Sequence, residues 1–165
     1  MILTQVKVLL DFFIHFYIVN LFFTIKLMKM ETAVMTNKDL AQALYDYFGQ
    51  GNVPAILDMC TDDIKWTCPG PTDILPYAQV FKGKKGVADF FKHIYENKDF
   101  PSFAINEYIS EGNKVVALGH WDAKSKRTGK PYSGNWAMVF YFRDGKLYEH
   151  KEYYDSYSEA MASKA

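Results

Sequence analysis

The stretch Asp62–Phe91, DDIKWTCPGPTDILPYAQVFKGKKGVADFF, decides the fold of this chain. Its first residues predict a β-strand over Ile64–Cys68, which the turn Pro69-Gly70-Pro71 brings to an end. A loop follows, and a helix is predicted from Gly83 to Asn97. Apolar side chains recur on one side of that helix at Val87, Phe90, Phe91, Ile94 and Tyr95, as in an amphipathic helix that covers a core.

Two helices are predicted before this stretch. The first, Asp39–Gly49, has apolar residues at the spacing of one helix face, and Thr36 or Asn37 is placed to cap it. The second, Val53–Cys60, has a proline in its first turn.

Strands dominate the chain after the third helix. The predicted strands are Ser102–Ser110, Lys114–Ala123, Ser133–Arg143 and Lys146–Tyr154, and the Asp144-Gly145 pair indicates a tight hairpin. Asp155 is placed to cap a short terminal helix, and Ser156-x-x-Glu159 has the pattern of a capping box at its start. The order helix, helix, strand, helix and then antiparallel strands predicts an α+β domain.

Composition excludes some functions. Lys and Arg together number 19, as do Asp and Glu, so the formal net charge is zero and a nucleic acid is not an expected partner. The two cysteines, Cys60 and Cys68, form neither a disulfide framework nor a four-ligand zinc site. The four histidines lack metal-ligand spacing, so no metal and no cofactor are expected.

Residues 1–34 differ from the rest, since residues 6–25 are almost continuously apolar. Three interpretations remain open: translation that begins further along, at one of several methionines; a membrane anchor or uncleaved signal; or a helix packed on the domain or on a second subunit. Residues 36–165 are taken as the domain, and a cytoplasmic location is expected unless the apolar segment anchors or exports the protein.

The strand and helix of the opening stretch, with the terminal run Arg143–Tyr157, RDGKLYEHKEYYDSY, resemble the SnoaL-like branch of the nuclear-transport-factor-2-like superfamily. The resemblance implies a cystatin-like fold: a cone-shaped, curved antiparallel sheet wrapped by three helices around a pocket. It also implies a homodimer formed through the outer face of the sheet. Because this fold carries enzymes and non-enzymes alike, it does not by itself name an activity.

The last strand carries the residues expected to do chemistry. Tyr148, His150, Glu152 and Tyr154 share one face of it. In the limonene epoxide hydrolases, which belong to this superfamily, the corresponding strand holds a catalytic aspartate, and that position matches Glu152. In an apolar pocket the pKa of this carboxyl would rise toward the value that suits a general base, with His150 as its partner. The alternative is that the two form a satisfied polar pair without catalytic function.

The other residues of the hydrolase pattern match less well. Two pocket positions fall at Trp66 and Cys68, and two members of the triad fall at Gly119 and Trp121. A slip of one residue in that strand would instead turn His120 and Asp122 inward, because neighbouring side chains on a strand point to opposite faces. The general base of the ketosteroid isomerases corresponds to Cys68, which is not a carboxylate.

The favoured register predicts an aromatic pocket for a flat, largely apolar small molecule. The residues expected to bind this ligand are Trp66, Cys68, Trp121, Trp136, Tyr154, Tyr45 and Phe48, with Tyr77 as a lid. The expected function is a cofactor-independent isomerase, cyclase or hydrolase with Glu152 as its base. The alternative is a non-catalytic binding or carrier domain for a small hydrophobic ligand.

Overall fold

The computed structural model describes residues 35–164 and the single residue Ile18. The predictions about the apolar N-terminal segment otherwise lie outside the described residues.

Two short helices open the domain. Helix α1, Asn37–Gly49, begins with a capping box in which Thr36 and Asp39 bond reciprocally, so Thr36 is the cap. Helix α2, Val53–Asp58, begins at Asn52, whose side chain accepts a hydrogen bond from the backbone of Ala55. Both agree with the predicted helices to within two residues at each end.

Helix α3, Gly83–Asn97, has the predicted bounds and buries Val87, Phe90, Phe91 and Ile94. Its apolar side packs against strand β1, Cys60–Thr67, and strand β2, Val80–Lys82. The three-residue strand β2 was not predicted, because a segment this short has too few residues to show alternation.

The remaining strands are long and follow one another in a meander. They are β3, Lys98–Glu111; β4, Lys114–Ser125; β5, Pro131–Arg143; and β6, Lys146–Tyr154. The six strands form one curved, open sheet in the order β2-β1-β6-β5-β4-β3. The α+β fold predicted from the sequence is therefore confirmed.

One pair departs from the predicted antiparallel sheet, since β1 and β6 run parallel. The chain can join parallel neighbours only by a long crossover, and here everything between β1 and β6 supplies it. This pairing places Trp66 opposite His150, so the pocket is built where the first strand meets the last.

The short helix α4, Ser156–Ser163, ends the domain. Its cap is Asp155, which accepts hydrogen bonds from the backbone of Tyr157 and Ser158. The capping box predicted for Ser156 and Glu159 is wrong. Asp155 is the cap, Ser156 is already the first residue of the helix, and the side chain of Glu159 is fully buried in the core.

Strand β4 has the register that the sequence favoured, with Gly119 and Trp121 facing inward. Trp121 is buried, whereas His120 and Asp122 lie on the outer face of the sheet. Gly119 also faces inward, under the ring of Trp136. A Cβ at Gly119 would lie 2.1 Å from Cζ2 of Trp136 and 2.2 Å from the backbone oxygen of Ala104. A side chain at this position would therefore force Trp136 or the backbone to shift, and the triad member that the hydrolases have there is absent.

Candidate active site

A cavity lies between the helices and the inner face of the sheet. Its volume is about 60 Å³, and one water needs about 10–15 Å³, so this conformation holds a few waters or a very small ligand. A larger molecule would enter only if side chains moved aside. The lining is largely aromatic and aliphatic: Leu44, Tyr45, Phe48, Ile56, Trp66, Phe90, Phe91, Ile94, Lys98, Phe100, Phe103, Trp121, Met138, Phe140, His150 and Glu152.

Glu152 brings a carboxyl group into this apolar space. It lies on β6 and is only 6% exposed, and one of its oxygens accepts a hydrogen bond of 3.1 Å from the indole Nε1 of Trp66. Burial raises the pKa of Glu152 to about 7, although the charge of Lys98 and hydrogen bonds from Trp66 and Cys68 act in the opposite direction. Near neutral pH this group can therefore both accept and return a proton.

His150 lies two residues before Glu152 and faces the same cavity. Its ring stacks on Trp66 with 3.8 Å between ring centroids and meets the edge of Phe140 at 4.7 Å. Complete burial lowers the pKa of His150 to about 3, so the imidazole is neutral at physiological pH. Its Nδ1 lies 3.9 Å from the Glu152 carboxyl and has no hydrogen-bond partner among the described residues. The pair is therefore a contact between a neutral ring and an acid rather than an ion pair.

A second ionisable cluster adjoins the cavity and was not predicted. Lys98, the first residue of β3, is buried and forms an ion pair with Glu159 of α4. The hydroxyls of Tyr77 and Tyr132 donate to the same Glu159 oxygen at 2.5 Å and 2.9 Å. Lys98 lines the cavity and Glu159 does not.

The sequence does contain a signal for Lys98. It lies two residues before Phe100 at the start of β3, so the two side chains share one face of the strand. The predicted strand began only at Ser102 and so left Lys98 outside it. For Glu159 the pattern of a capping box concealed the buried role.

The predicted ligand-binding residues divide into two sets. The cavity wall includes Tyr45, Phe48, Trp66, Trp121, His150 and Glu152. The remaining four lie behind this wall: Cys68, Trp136, Tyr154 and Tyr77.

Those four residues pack in the interior. Trp136 stacks behind Phe103 at 5.0 Å between ring centroids, and Tyr154 meets the edge of Trp121 at 4.9 Å. The Tyr154 hydroxyl lies 3.4 Å from the Cys68 sulfur. Burial raises the pKa of Cys68 well above its usual value, with a further contribution from Glu152, so this thiol is a poor nucleophile.

Tyr77 does not have the position expected of a lid. It is 1% exposed, and its hydroxyl is bound to the buried Glu159. The proline-rich loop that carries it folds inward, because Tyr77 supplies a donor that the buried carboxyl needs. Tyr77 instead supports the Lys98–Glu159 pair, with its hydroxyl on Glu159 and its ring against Lys98.

His120 and Asp122 are also away from the cavity. Nδ1 of His120 lies 2.9 Å from the Asn135 side chain on the neighbouring strand, and its Nε2 lies 3.6 Å from Asp122. All of these contacts are on the exposed face of the sheet, so the alternative triad does not form.

Within residues 35–164, no group of three or more His, Cys, Asp or Glu side chains is placed to hold a metal ion. Over the same residues, no helix combines the length and the apolar character that crossing a membrane would require.

The fold and the site define a small α+β domain of the nuclear-transport-factor-2-like class, with an acid buried in an aromatic cavity. A family model, the SnoaL-like domain, matches residues 41–150, and the chain belongs to this family. No curated protein matches the chain.

Solved structures share the fold. An NTF2-like protein of unknown function from Burkholderia pseudomallei is 20% identical with a TM-score of 0.73, over 79% of this chain and 100% of that one. TerC, crystallised with polyporic acid, is 20% identical with a TM-score of 0.70, over 78% and 98%. A protein from Pseudomonas putida, provisionally named a polyketide cyclase, is 18% identical with a TM-score of 0.63, over 78% and 98%. At these identities the likeness shows the fold alone.

Proposed function

We propose that the domain binds a small, largely apolar molecule and removes a proton from it, with Glu152 as the general base and without a cofactor. The observation that carries this proposal is the Glu152 carboxyl on the wall of an aromatic cavity, with a pKa raised to about 7. A base with this pKa is ionised to a useful extent at neutral pH and still binds the proton that it removes.

The neighbouring groups support this role. The Trp66 indole donates a hydrogen bond to one oxygen of Glu152, so the carboxyl group is already oriented before a ligand enters. His150 is neutral and so does not hold the carboxylate in a permanent ion pair. Its Nδ1, which has no partner within residues 35–164, is available to a hydroxyl or carbonyl group of a ligand, and the tautomer decides whether it donates or accepts.

The reaction class follows from a single base in an apolar cavity. Proton removal next to a carbonyl, followed by its return elsewhere or by attack on a second carbon, gives an isomerase or a cyclase. The provisional name of the Pseudomonas putida relative, a polyketide cyclase, agrees with this class. Hydrolysis by an activated water is the remaining enzymatic possibility of the same base.

Proton removal can be tested without the natural substrate. Cyclopentanone in deuterated water exchanges its α-protons only slowly, and NMR follows the exchange. We expect the protein to accelerate it and Glu152→Gln to lower the protein-dependent rate by about 100-fold, the usual scale for loss of a general base. The matched control is Glu149→Gln on the same strand, whose carboxyl pairs with Lys65 and Lys151. Equal rates for the wild type and Glu152→Gln would refute the assignment.

The second candidate is a non-catalytic binding or carrier domain. It is favoured by the cavity lining, in which aromatic side chains outnumber polar ones, and by the low pKa of His150, which leaves this ring neutral at physiological pH. Native mass spectrometry of protein purified from its own host tests it. A retained ligand that is released unchanged and undergoes no proton exchange would establish binding without turnover.

We further propose that the domain is a homodimer through the outer face of the sheet, where Ile109 and Tyr153 are about half exposed. A cytoplasmic location also remains part of the proposal. It is supported by the two free, buried cysteines, which suit a reducing compartment.

A further inference from the structure

The wall of the cavity contains a buried cation that the proposed base does not use. Lys98 is only 4% exposed, and Glu159 is its single oxygen partner among the described residues. An ammonium group has three donors, and burial makes each unsatisfied donor costly.

Aromatic faces surround this ammonium on its other sides. Its Nζ lies 4.4 Å from the ring centroid of Tyr77, 5.3 Å from Tyr154 and 5.5 Å from Trp121. Such faces attract a cation but do not accept its hydrogen bonds as an oxygen does. The site therefore holds a cation in place and leaves donors for another oxygen.

The ion pair is oriented with respect to the cavity. Lys98 is part of the cavity wall and Glu159 lies behind it, on the side of Tyr77 and Tyr132. Lys98 is therefore the member of the pair that lies nearer the cavity. The pKa of Glu152 is consistent with this orientation: after burial, the largest influence is the charge of Lys98, and Glu159 has a smaller opposite effect.

From this arrangement we propose that Lys98 binds the oxygen on which negative charge develops when Glu152 removes a proton from the ligand. The inference rests on the proposed function of Glu152 and adds a second residue that acts in the same reaction. Glu152 takes the proton of a C–H bond next to the carbonyl, and the electron pair of that bond forms C=C. The carbonyl becomes an enolate, whose oxygen Lys98 stabilises.

The charge of the site stays constant during this step. One negative charge starts on the Glu152 carboxylate and ends on the enolate oxygen, while the proton moves the opposite way. The Lys98–Glu159 pair is neutral as a whole, so its effect comes from the nearness of its positive end. Return of the proton to a different carbon completes an isomerisation. In a cyclisation the enolate carbon attacks a second carbonyl, and the oxygen of that carbonyl takes the proton back from Glu152.

The test uses 4-nitrophenol, a flat phenol whose anion has its own visible absorption, and nitrobenzene, its neutral relative of similar shape. Quenching of tryptophan fluorescence measures binding, because Trp66 and Trp121 line the cavity. All measurements are made in the Glu152→Gln protein, where no base is present. Failure of the base assignment and failure of the Lys98 assignment are thereby separated, since the first is read from α-proton exchange.

Two variants should change anion binding in opposite directions. Glu159→Gln removes the competing carboxylate and keeps an acceptor for Tyr77 and Tyr132, so the nitrophenolate should bind about tenfold more tightly. The double variant Lys98→Met with Glu159→Gln removes both charges without leaving Glu159 unpaired, and the nitrophenolate should bind about tenfold more weakly. Nitrobenzene should bind all three proteins equally, which controls for folding and access.

The absorption spectrum gives an independent reading. The bound probe should be the coloured anion when Lys98 is present and the colourless phenol in the double variant. Equal affinity of the double variant and its parent for the nitrophenolate would overturn the proposal. So would weaker nitrophenolate binding by Glu159→Gln, because a purely structural role of the ion pair predicts a loss in both variants.

Discussion

Replacement of Glu152 by glutamine should increase the unfolding free energy of the domain at alkaline pH. At acid pH the change in unfolding free energy should be much smaller. The side chain lies in an apolar cavity, and burial is the main reason that its pKa is raised from 4.5 to about 7. Glutamine has almost the same shape, and its carbonyl oxygen still accepts the hydrogen bond from Trp66. What the substitution removes is the buried negative charge.

The sign follows from the two pKa values. Below pH 4.5 the carboxyl is protonated in both the folded and the unfolded chain, so titration contributes nothing. Between pH 4.5 and about 7 the unfolded chain loses this proton and the folded chain keeps it, so folding becomes less favourable as the pH rises. Above about pH 7 both forms are ionised, and the loss of stability is complete.

The size of the effect comes from the same values. A shift from 4.5 to about 7 corresponds to about 3 kcal/mol, at roughly 1.4 kcal/mol for each pH unit. The difference in unfolding free energy between Glu152→Gln and the wild type should therefore grow by up to about 3 kcal/mol from pH 4.5 to pH 8.

Urea denaturation at a series of pH values measures this difference. Other titrating groups affect both proteins equally, so subtraction isolates Glu152. Glu149→Gln, on the other face of the same strand, is the control and should follow the wild type. If the curves for Glu152→Gln and the wild type stay parallel from pH 4.5 to pH 8, Glu152 does not titrate near neutrality and the argument for a general base fails.

Three further outcomes are expected. Gly119→Ala should destabilise the domain by about 1–3 kcal/mol in urea denaturation, because its Cβ would overlap Trp136 and a backbone oxygen. The control is Gly134→Ala, whose Cβ meets no atom within 4 Å, and equal effects of the two substitutions would contradict the packing argument. Trp66→Phe removes a hydrogen bond that lowers the pKa of Glu152, so the midpoint of the pH–rate profile for α-proton exchange should move to higher pH, and a downward shift would count against the contact. Tyr153→Glu puts a charge on the proposed dimer face and should give a monomer in analytical ultracentrifugation where the wild type is a dimer; an unchanged dimer would place the interface elsewhere.

The fold was predictable because local signals agreed with one another. The amphipathic pattern of α3 and the hairpin at Asp144-Gly145 gave their elements directly, and alternation along β6 gave the face shared by His150 and Glu152. These signals act within a few residues, so a single sequence contains them. Of the four residues predicted on that face, His150 and Glu152 line the cavity and Tyr154 packs behind its wall. Tyr148 lies instead beside Tyr141 and Arg143, where the pairing of β5 and β6 shifts its register.

Other parts of the site depend on contacts between distant segments. Lys98 and Glu159 are adjacent only after the last helix has docked, and each has an ordinary explanation in its local sequence: a lysine at the end of a helix and a glutamate in a first turn. Tyr77 likewise turns inward because of a carboxyl that lies far along the chain. Periodicity cannot predict such pairs, because it indicates which face a residue occupies but not which charged residue packs against it from a distant segment.

The two buried glutamates show how environment divides the work of one residue type. Glu159 has a cation and two hydroxyl donors around it, which hold the last helix to the sheet. Glu152 has the Trp66 indole and the Cys68 thiol in an otherwise apolar cavity, and burial raises its pKa to about 7, so its proton is exchangeable near neutral pH. The proposed chemistry is therefore assigned to Glu152, and the proposed role of Glu159 is to position the Lys98 cation. The side chains around each carboxyl, which a local sequence motif does not show, separate the two roles.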